Sequence, residues 1–346
     1  MLTNIMSIIF FVRLFDPHIG GVEKHVMKIS KILIKKGYKI TIITEQLEGT
    51  DLQEQKERIT IYRIPVGKTD WFKKFKIWSE LWKLRRILES ADVIHCHDVF
   101  FWYFPFRFLY FRKPVYTTFH GYESFPIHKG PILIRKISEK LSWGNICIGD
   151  FIKKWYGTQP TYVAYGATDT PEKIVKEKFK KDSALFFGRL DEQTGILTYA
   201  KAANFLKEKY SKFNFTIVGD GKYKSLLIKK YNVLGFKKNP EKFIRQYHFT
   251  FVSRYLSILE ALAANRLIFA VYDNPVKEDY LKMAPFAKFI IIESNPKKLA
   301  EKVLYYLEHP EQEKKLINLG YNWVKLQTWE NLVTIYINLW EGENNG

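Results

Sequence analysis

Short apolar runs alternate with helically spaced stretches through the first half of the chain. Residues 5–15 (IMSIIFFVRLF) read as a buried strand. Gly20-Gly21 follows in a loop, and residues 22–36 place Val26, Ile29, Ile32 and Leu33 at helical spacing before Gly37. Further strands are predicted at 38–44, 59–64, 92–97, 115–120, 145–148 and 161–165, with helices at 71–88, 100–111 and 132–141. The pattern restarts after residue 183. Strands are predicted at 184–187, 214–219, 232–236, 249–253 and 267–272, and helices at 196–209, 222–230, 240–246 and 257–264. Three helical segments follow residue 296. Such alternation predicts an α/β chain of two doubly wound, parallel-sheet domains. The polar, charged stretch 168–182 (TDTPEKIVKEKFKKD) reads as the linker between them. The predicted division is 1–167, linker 168–182, 183–327, and a closing helix in 328–346 that packs back toward the first domain.

Composition narrows the partners. The chain has 346 residues, 47% of them apolar and 26% charged, which excludes a disordered or low-complexity protein. Lys and Arg number 55 against 36 Asp and Glu, a net charge of +19. An anionic partner is expected: a phosphorylated ligand, an anionic membrane or nucleic acid. No zinc finger, RNA-recognition signature or arginine-rich tail is present, so nucleic acid is disfavoured. Two cysteines, Cys96 and Cys147, cannot build a disulfide framework, and a reducing cytoplasm is the simplest setting. The N-terminal apolar run has no preceding basic region and no cleavage site, and no run reaches transmembrane length.

The aromatic share, 16%, needs its own account. Residues 71–88 (WFKKFKIWSELWKLRRIL) set Trp71, Phe75, Trp78, Leu81 and Trp82 on one side of a helix, with Lys73, Lys74 and Arg85 among the surrounding cations. Residues 99–111 (VFFWYFPFRFLYF), with Phe101 and Trp102, follow nearby. A basic amphipathic helix edged with Trp suits an anionic membrane surface. A core-facing helix with a solvated basic back is the plainer alternative.

Ligands of open parallel sheets bind beyond the carboxyl ends of the strands. The loops there carry Gly20-Gly21, His97-Asp98, His120-Gly121, Gly188-Arg189, Gly219-Asp220-Gly221 and Ser253-Arg254. Gly20-Gly21 opens a helix whose free N–H groups attract phosphate. Arg189 offers a planar fork to a phosphate or carboxylate, the alternative being a surface ion pair with Asp191 or Glu192. Glu260 is an acid in an otherwise apolar helical stretch and needs a partner, such as a pair of ribose hydroxyls. His120 is placed to hydrogen-bond a substrate hydroxyl. His95 and His97 bracket Cys96, but a zinc site needs further ligands and none has convincing spacing, so no metal is expected. The dinucleotide fingerprint, the P-loop and the nucleophile elbow are all absent.

In this order the pieces resemble glycosyltransferase family 4, whose GT-B fold sets two Rossmann-like domains facing each other across a cleft. The resemblance rests on GGVEKHVMKISKILIKKGYKITIIT (20–44), DVIHCHD (92–98), VYTTFHGYE (115–123), FFGRLDEQTGI (186–196), TIVGDG (216–221), SRYLSILEALAANRLIFAV (253–271) and TWENLVTIYINLW (328–340). It implies a retaining, metal-independent hexosyl transfer from a nucleotide-diphosphate sugar, with no further cofactor. It implies that Gly20 and Gly21 line the donor diphosphate, with Gly188, Gly219 and Gly221 in the donor site. His120 would contact the sugar, Arg189 would hold the diphosphate, and Glu260 would bind the ribose. Backbone amides at Ser257 and Ile258 would face phosphate. The acceptor would be lipid-linked or a glycan, handled at the membrane surface by a peripheral cytoplasmic enzyme.

Three positions depart from the family pattern. Thr194 stands where the family usually has Lys, Val252 where its first glutamate falls, and Asn265-Arg266-Leu267 where Gly-x-Pro is usual. Arg254 or Arg266 is the candidate replacement for the missing cation. A non-catalytic relative serving as a binding or scaffold subunit is the alternative, and a nucleotide-sugar epimerase a third.

Overall fold

The structure, a computed structural model, describes residues 5–67, 72–169, 179–237 and 241–342. Trp71, most of the charged linker (170–178) and the start of the 240–246 helix lie outside the described residues. The chain divides into two units, residues 1–164 with 329–346, and residues 165–328.

The first unit carries strands β1 (Ser7–Val12), β2 (Lys39–Glu45), β3 (Gln53–Lys56), β4 (Ile59–Ile64), β5 (Val93–His97), β6 (Val115–Phe119), β7 (Gly144–Ile148) and β8 (Tyr162–Ala164). They form one sheet in the order β3-β4-β2-β1-β5-β6-β7-β8. All neighbours are parallel except β3, which runs antiparallel on the edge. Its helices are α1 (Gly21–Lys35), α2 (Lys73–Lys83), α3 (Arg85–Ser90), α4 (Phe100–Leu109), α5 (Lys129–Leu141) and α6 (Phe151–Tyr156). The central strands are buried because helices cover both faces; Ile8, Ile9, Phe10 and Phe11 of β1 are buried, as are the polar His95 and His97 of β5 and Thr117 and Thr118 of β6. The strand order reverses between β1 and β5, so Gly20-Gly21 and His97-Asp98 flank one switch point at the carboxyl ends.

The second unit carries β9 (Lys180–Phe187), β10 (Asn214–Val218), β11 (Asn232–Val233), β12 (Tyr247–Phe251), β13 (Leu267–Val271) and β14 (Ile291–Glu293), ordered β11-β10-β9-β12-β13-β14 and parallel throughout. Its helices are α7 (Ile196–Lys209), α8 (Lys224–Leu227), α9 (Glu241–Ile244), α10 (Tyr255–Ala263), α11 (Pro275–Lys282), α12 (Pro296–Glu308) and α13 (Pro310–Val324). Phe186, Phe249, Phe251 and Phe269 interleave on the sheet with Tyr199 of α7. Here the order reverses between β9 and β12. A closing helix, α14 (Trp329–Glu341), packs with the first unit against α1 and β8.

Several elements differ from expectation. Residues 180–182, read as linker from their charges, open β9; Lys180 and Lys181 are exposed and Asp182 half-buried, so these positions need no apolar character. The predicted helix over 71–88 is two helices, broken at Leu84. The helix over 222–230 shrinks to α8, and the strand over 232–236 to the two residues of β11. β3 reads QEQK and shows no apolar alternation because neither face is buried. Trp102, grouped with surface aromatics, is a core residue: it is 1% exposed and meets Phe11 edge-on at 6.4 Å.

Candidate functional site

In the second unit, β9 ends in a turn that carries Gly188 and Arg189. That turn is locked against the turn after β10. Gly188 N–H donates to the Val218 carbonyl at 3.0 Å and Leu190 N–H to the Asp220 carbonyl at 2.8 Å. The approach requires glycine: a Cβ on Gly219, whose φ is +158°, would stand 1.9 Å from the Gly188 carbonyl oxygen. Gly219 and Gly221 therefore build the turns that present Arg189. Thr194, at the position of the missing lysine, is turned inward. Its hydroxyl donates to the carbonyls of Arg189 (2.8 Å) and Asp191 (2.9 Å), so it braces the same turn. The Arg189 side chain stays largely exposed, with Asp191 at 3.4 Å and Gln193 at 3.3 Å.

β12 ends at Ser253-Arg254, and α10 rises directly from it. Tyr255 N–H is capped by the Tyr280 hydroxyl at 2.7 Å. Ile258, expected to offer its amide to phosphate, already donates it to the Arg254 carbonyl at 2.9 Å. The reason is register: α10 begins at Tyr255, two residues before the expected start, so Ile258 lies in the hydrogen-bonded interior. Leu256 and Ser257 are the first-turn amides without an in-helix acceptor. Glu260 is buried in the next turn. Val252, at the place of the first family glutamate, is sheet core.

Lys277 is a site residue that sequence reasoning misses, although it lies with Val276, Tyr280 and Leu281 on the buried stripe of α11. A lysine on an apolar helical face is the signal that could have found it. Its ammonium donates to the Ser253 carbonyl. Burial pushes it well below the usual lysine range, Arg254 adds to that, and Asp273 and Asp191 oppose it.

In the first unit, the carboxyl ends of β5 and β6 gather histidines. Trp340 of α14 can only donate, and it donates to His95 Nδ1 at 3.0 Å. His95 Nε2 therefore donates to Thr118 Oγ1 at 2.7 Å, and the chain continues through the Tyr336 hydroxyl (3.0 Å) to His25 Nε2 (2.9 Å). His97 Nδ1 and His120 Nε2 share a hydrogen bond of 2.8 Å. Burial pushes His25, His95 and His97 well below the usual imidazole value. It pushes His120 down to about 3, with the nearby Arg135 charge adding to it. His120 is thus a neutral imidazole. Its backbone N–H donates to Asp98 Oδ1 at 3.0 Å, and Arg135 holds the following turn through the Gly121 carbonyl.

The ring nitrogens of His25, His97 and His120 lie within 4.8 Å of one another. That is the group among the described residues that could hold a metal. His25, on the buried face of α1, is the member that sequence reasoning misses. At the β1 end, Gly21 opens α1, and a Cβ there would meet nothing within 4 Å. Gly20 leaves room for the Glu23 carboxylate, which a Cβ would meet at 2.2 Å. Glu23 also takes His18 Nδ1 at 2.8 Å, so the first turn of α1 already carries a negative charge.

Residues 19–169 match the model of Glycosyltransferase Family 4, and residues 169–323 match that of Glycosyl transferases group 1. The chain belongs to glycosyltransferase family 4. Its two parallel-sheet, Rossmann-like halves are those of the GT-B fold. Among solved structures it is similar to the sucrose-phosphate synthase of Thermosynechococcus elongatus (TM-score 0.77, 14% identity, covering 98% of this chain and 99% of that one). It is similar to a glycosyltransferase of Rickettsia africae (TM-score 0.72, 16% identity, 98% of each chain). HepE of Anabaena, solved with UDP and glucose, gives a TM-score of 0.72 at 13% identity over 99% of this chain and 100% of that one. Among curated proteins, none matches.

The surface expected to meet a membrane on this glycosyltransferase divides residue by residue. Trp82 is exposed, with the Arg85 guanidinium 5.4 Å from its ring. Phe72, Phe75, Phe108, Leu109 and Phe111 are also exposed, on and beside α2 and α4. Lys74 stands 5.9 Å from the Phe101 ring. Trp78 is tied inward, its indole N–H donating to the Phe101 carbonyl at 3.0 Å, and Lys73 pairs with Glu45 at 2.9 Å. No helix among the described residues is long and apolar enough to cross a membrane.

Proposed function

We propose that this glycosyltransferase moves a hexosyl group, with retention of configuration and without metal, from a nucleoside-diphosphate sugar to a lipid-linked or glycan acceptor at the cytoplasmic membrane surface. One observation carries the donor half. At the switch point of the second sheet, β9, which leads into Arg189, pairs with β12, which leads into the first turn of α10, and Glu260 follows one turn further on. A leaving diphosphate needs fixed positive charge and oriented N–H groups, and these strand ends supply both. To Glu260, buried in α10, we assign a pair of ribose hydroxyls. On the first unit, His120 is a neutral imidazole able to hydrogen-bond a sugar hydroxyl. HepE binds UDP, which makes uridine diphosphate sugars the first donors to try. The membrane half rests on the exposed aromatics of α2 and α4 among lysines and arginines, and on the net charge of +19.

Thr194 in place of lysine favours a second reading, a relative that binds the donor without turning it over. Incubating the purified chain with UDP-, GDP- and ADP-sugars, with and without acceptor membranes, separates the two. Release of one nucleoside diphosphate, increased by acceptor, is the expected result. Binding without release from any donor would establish the second reading instead.

A further inference from the structure

At the switch point of the second sheet, both flanking strands end in an arginine: Arg189 after β9 and Arg254 after β12. The next strand, β13, leads into α11 and Lys277. Arg254 and Lys277 converge on one ring. The guanidinium carbon lies 5.7 Å and the ammonium 4.4 Å from the centroid of Tyr280. Because the Tyr280 hydroxyl caps Tyr255, both cations stand beside the first turn of α10. Lys277 is 2% exposed, and Arg254 Nη1 is buried with no hydrogen-bond partner among the described residues. Two like charges held against one ring repel, and a buried donor without an acceptor is costly. Asp273 and Asp191 offset part of the charge at Lys277, but no described residue accepts from Arg254 Nη1, which leaves that donor for an anion. The neighbouring turn is within reach: Gln193 and Gly195, on either side of Thr194, share a small hollow with Tyr272, Asp273 and Lys277.

We infer that Arg254 and Lys277 supply, from the ends of β12 and β13, the positive charge to the donor diphosphate that Thr194 cannot. The inference rests on the donor reading proposed above. Arg254 is the contact residue, with Nη1 available to a phosphate oxygen. Lys277 lies behind the Ser253 carbonyl and is a positioning residue, fixing the turn and adding charge beneath it. Arg266, the other candidate replacement, is excluded by its place. It follows α10 at the amino end of β13, donates to the Arg245 carbonyl and lies 4.8 Å from the Phe179 ring.

Isothermal titration of the full chain with UDP, GDP and ADP tests this, using Arg254→Gln, Lys277→Met and Arg266→Gln. For the diphosphate that binds the unaltered chain, Arg254→Gln is expected to weaken binding about tenfold or more. Lys277→Met weakens it severalfold, and in both variants affinity falls less steeply with added salt, since a charge is gone. A merely structural role for Lys277 would leave that salt dependence unchanged. Arg266→Gln binds as the unaltered chain does. Unchanged affinity and salt dependence in Arg254→Gln overturns the inference while leaving the donor reading intact. If Lys277→Met does not fold, Arg254→Gln decides alone. An unaltered chain that binds none of the three diphosphates overturns the donor reading, and this inference with it.

Discussion

Arg189 is held at the mouth of its turn by Asp191 and Gln193 but remains largely exposed, so its charge is presented and not buried. Removing one preorganised charge donor to a leaving group costs about 2–4 kcal/mol of barrier, and Arg189→Ala is expected to lower kcat by the corresponding factor. Wild-type turnover in that variant would remove Arg189 from the reaction. Glu260→Gln keeps the shape of the side chain and weakens its grip on a diol, so steady-state kinetics should show a raised donor KM with little change in kcat. An unchanged KM would contradict the ribose role. Tyr336 links Thr118 to His25, and Tyr336→Phe leaves buried His25 Nε2 without that partner and Thr118 bonded to His95 alone. The expected loss is about 1–3 kcal/mol in urea unfolding of the first unit. These roles are unequally legible in the sequence. Arg189 and Glu260 are anomalous where they stand, a cation at a strand end and an acid in an apolar helix. Lys277 and His25 are equally anomalous on apolar helical faces, but their partners come from elements distant in the chain: Ser253 is 24 residues from Lys277, and Tyr336 is 311 from His25.

Among the elements, α2 and α4 carry the surface argument. Their exposed aromatics lie beside cations, and the pair Phe75→Ser and Trp82→Ser is expected to reduce flotation with anionic liposomes while leaving the melting temperature nearly unchanged. Raised salt should reduce the unaltered chain's binding as well. Flotation that is absent, or indifferent to both, would contradict a membrane role. The alternation of apolar runs marks out the two parallel sheets, because a strand covered on both faces is mostly apolar. The same rule hides β3, which is covered on neither face. Periodicity shows that 100–111 is helical but not which side faces inward. In a run so rich in aromatics, Trp102 in the core and Phe108 in solvent look alike, and only packing against Phe11 tells them apart.

For the molecule as a whole, the buried histidines make the first unit acid-sensitive. A folded imidazole that stays neutral binds fewer protons than its unfolded counterpart, so stability rises with pH through the window below 6.5 and falls as pH drops through it. His120, pushed down to about 3, contributes about 2 kcal/mol of loss between pH 7 and pH 5, and His25, His95 and His97 act in the same direction; Asp98, pushed up to about 6 by burial, offsets part of that loss. Urea titrations at the two pH values measure this, and a first unit equally stable at both would refute it. In the proposed donor reading, the strand ends at β9, β12 and β13 of the second unit hold a nucleoside diphosphate. Hydrogen-exchange mass spectrometry with and without saturating nucleoside diphosphate addresses it most directly. Slowed exchange confined to residues 188–195, 253–260 and 272–277 within that unit is the predicted result; an unchanged pattern there, or protection at the amino ends of the same strands, would contradict it.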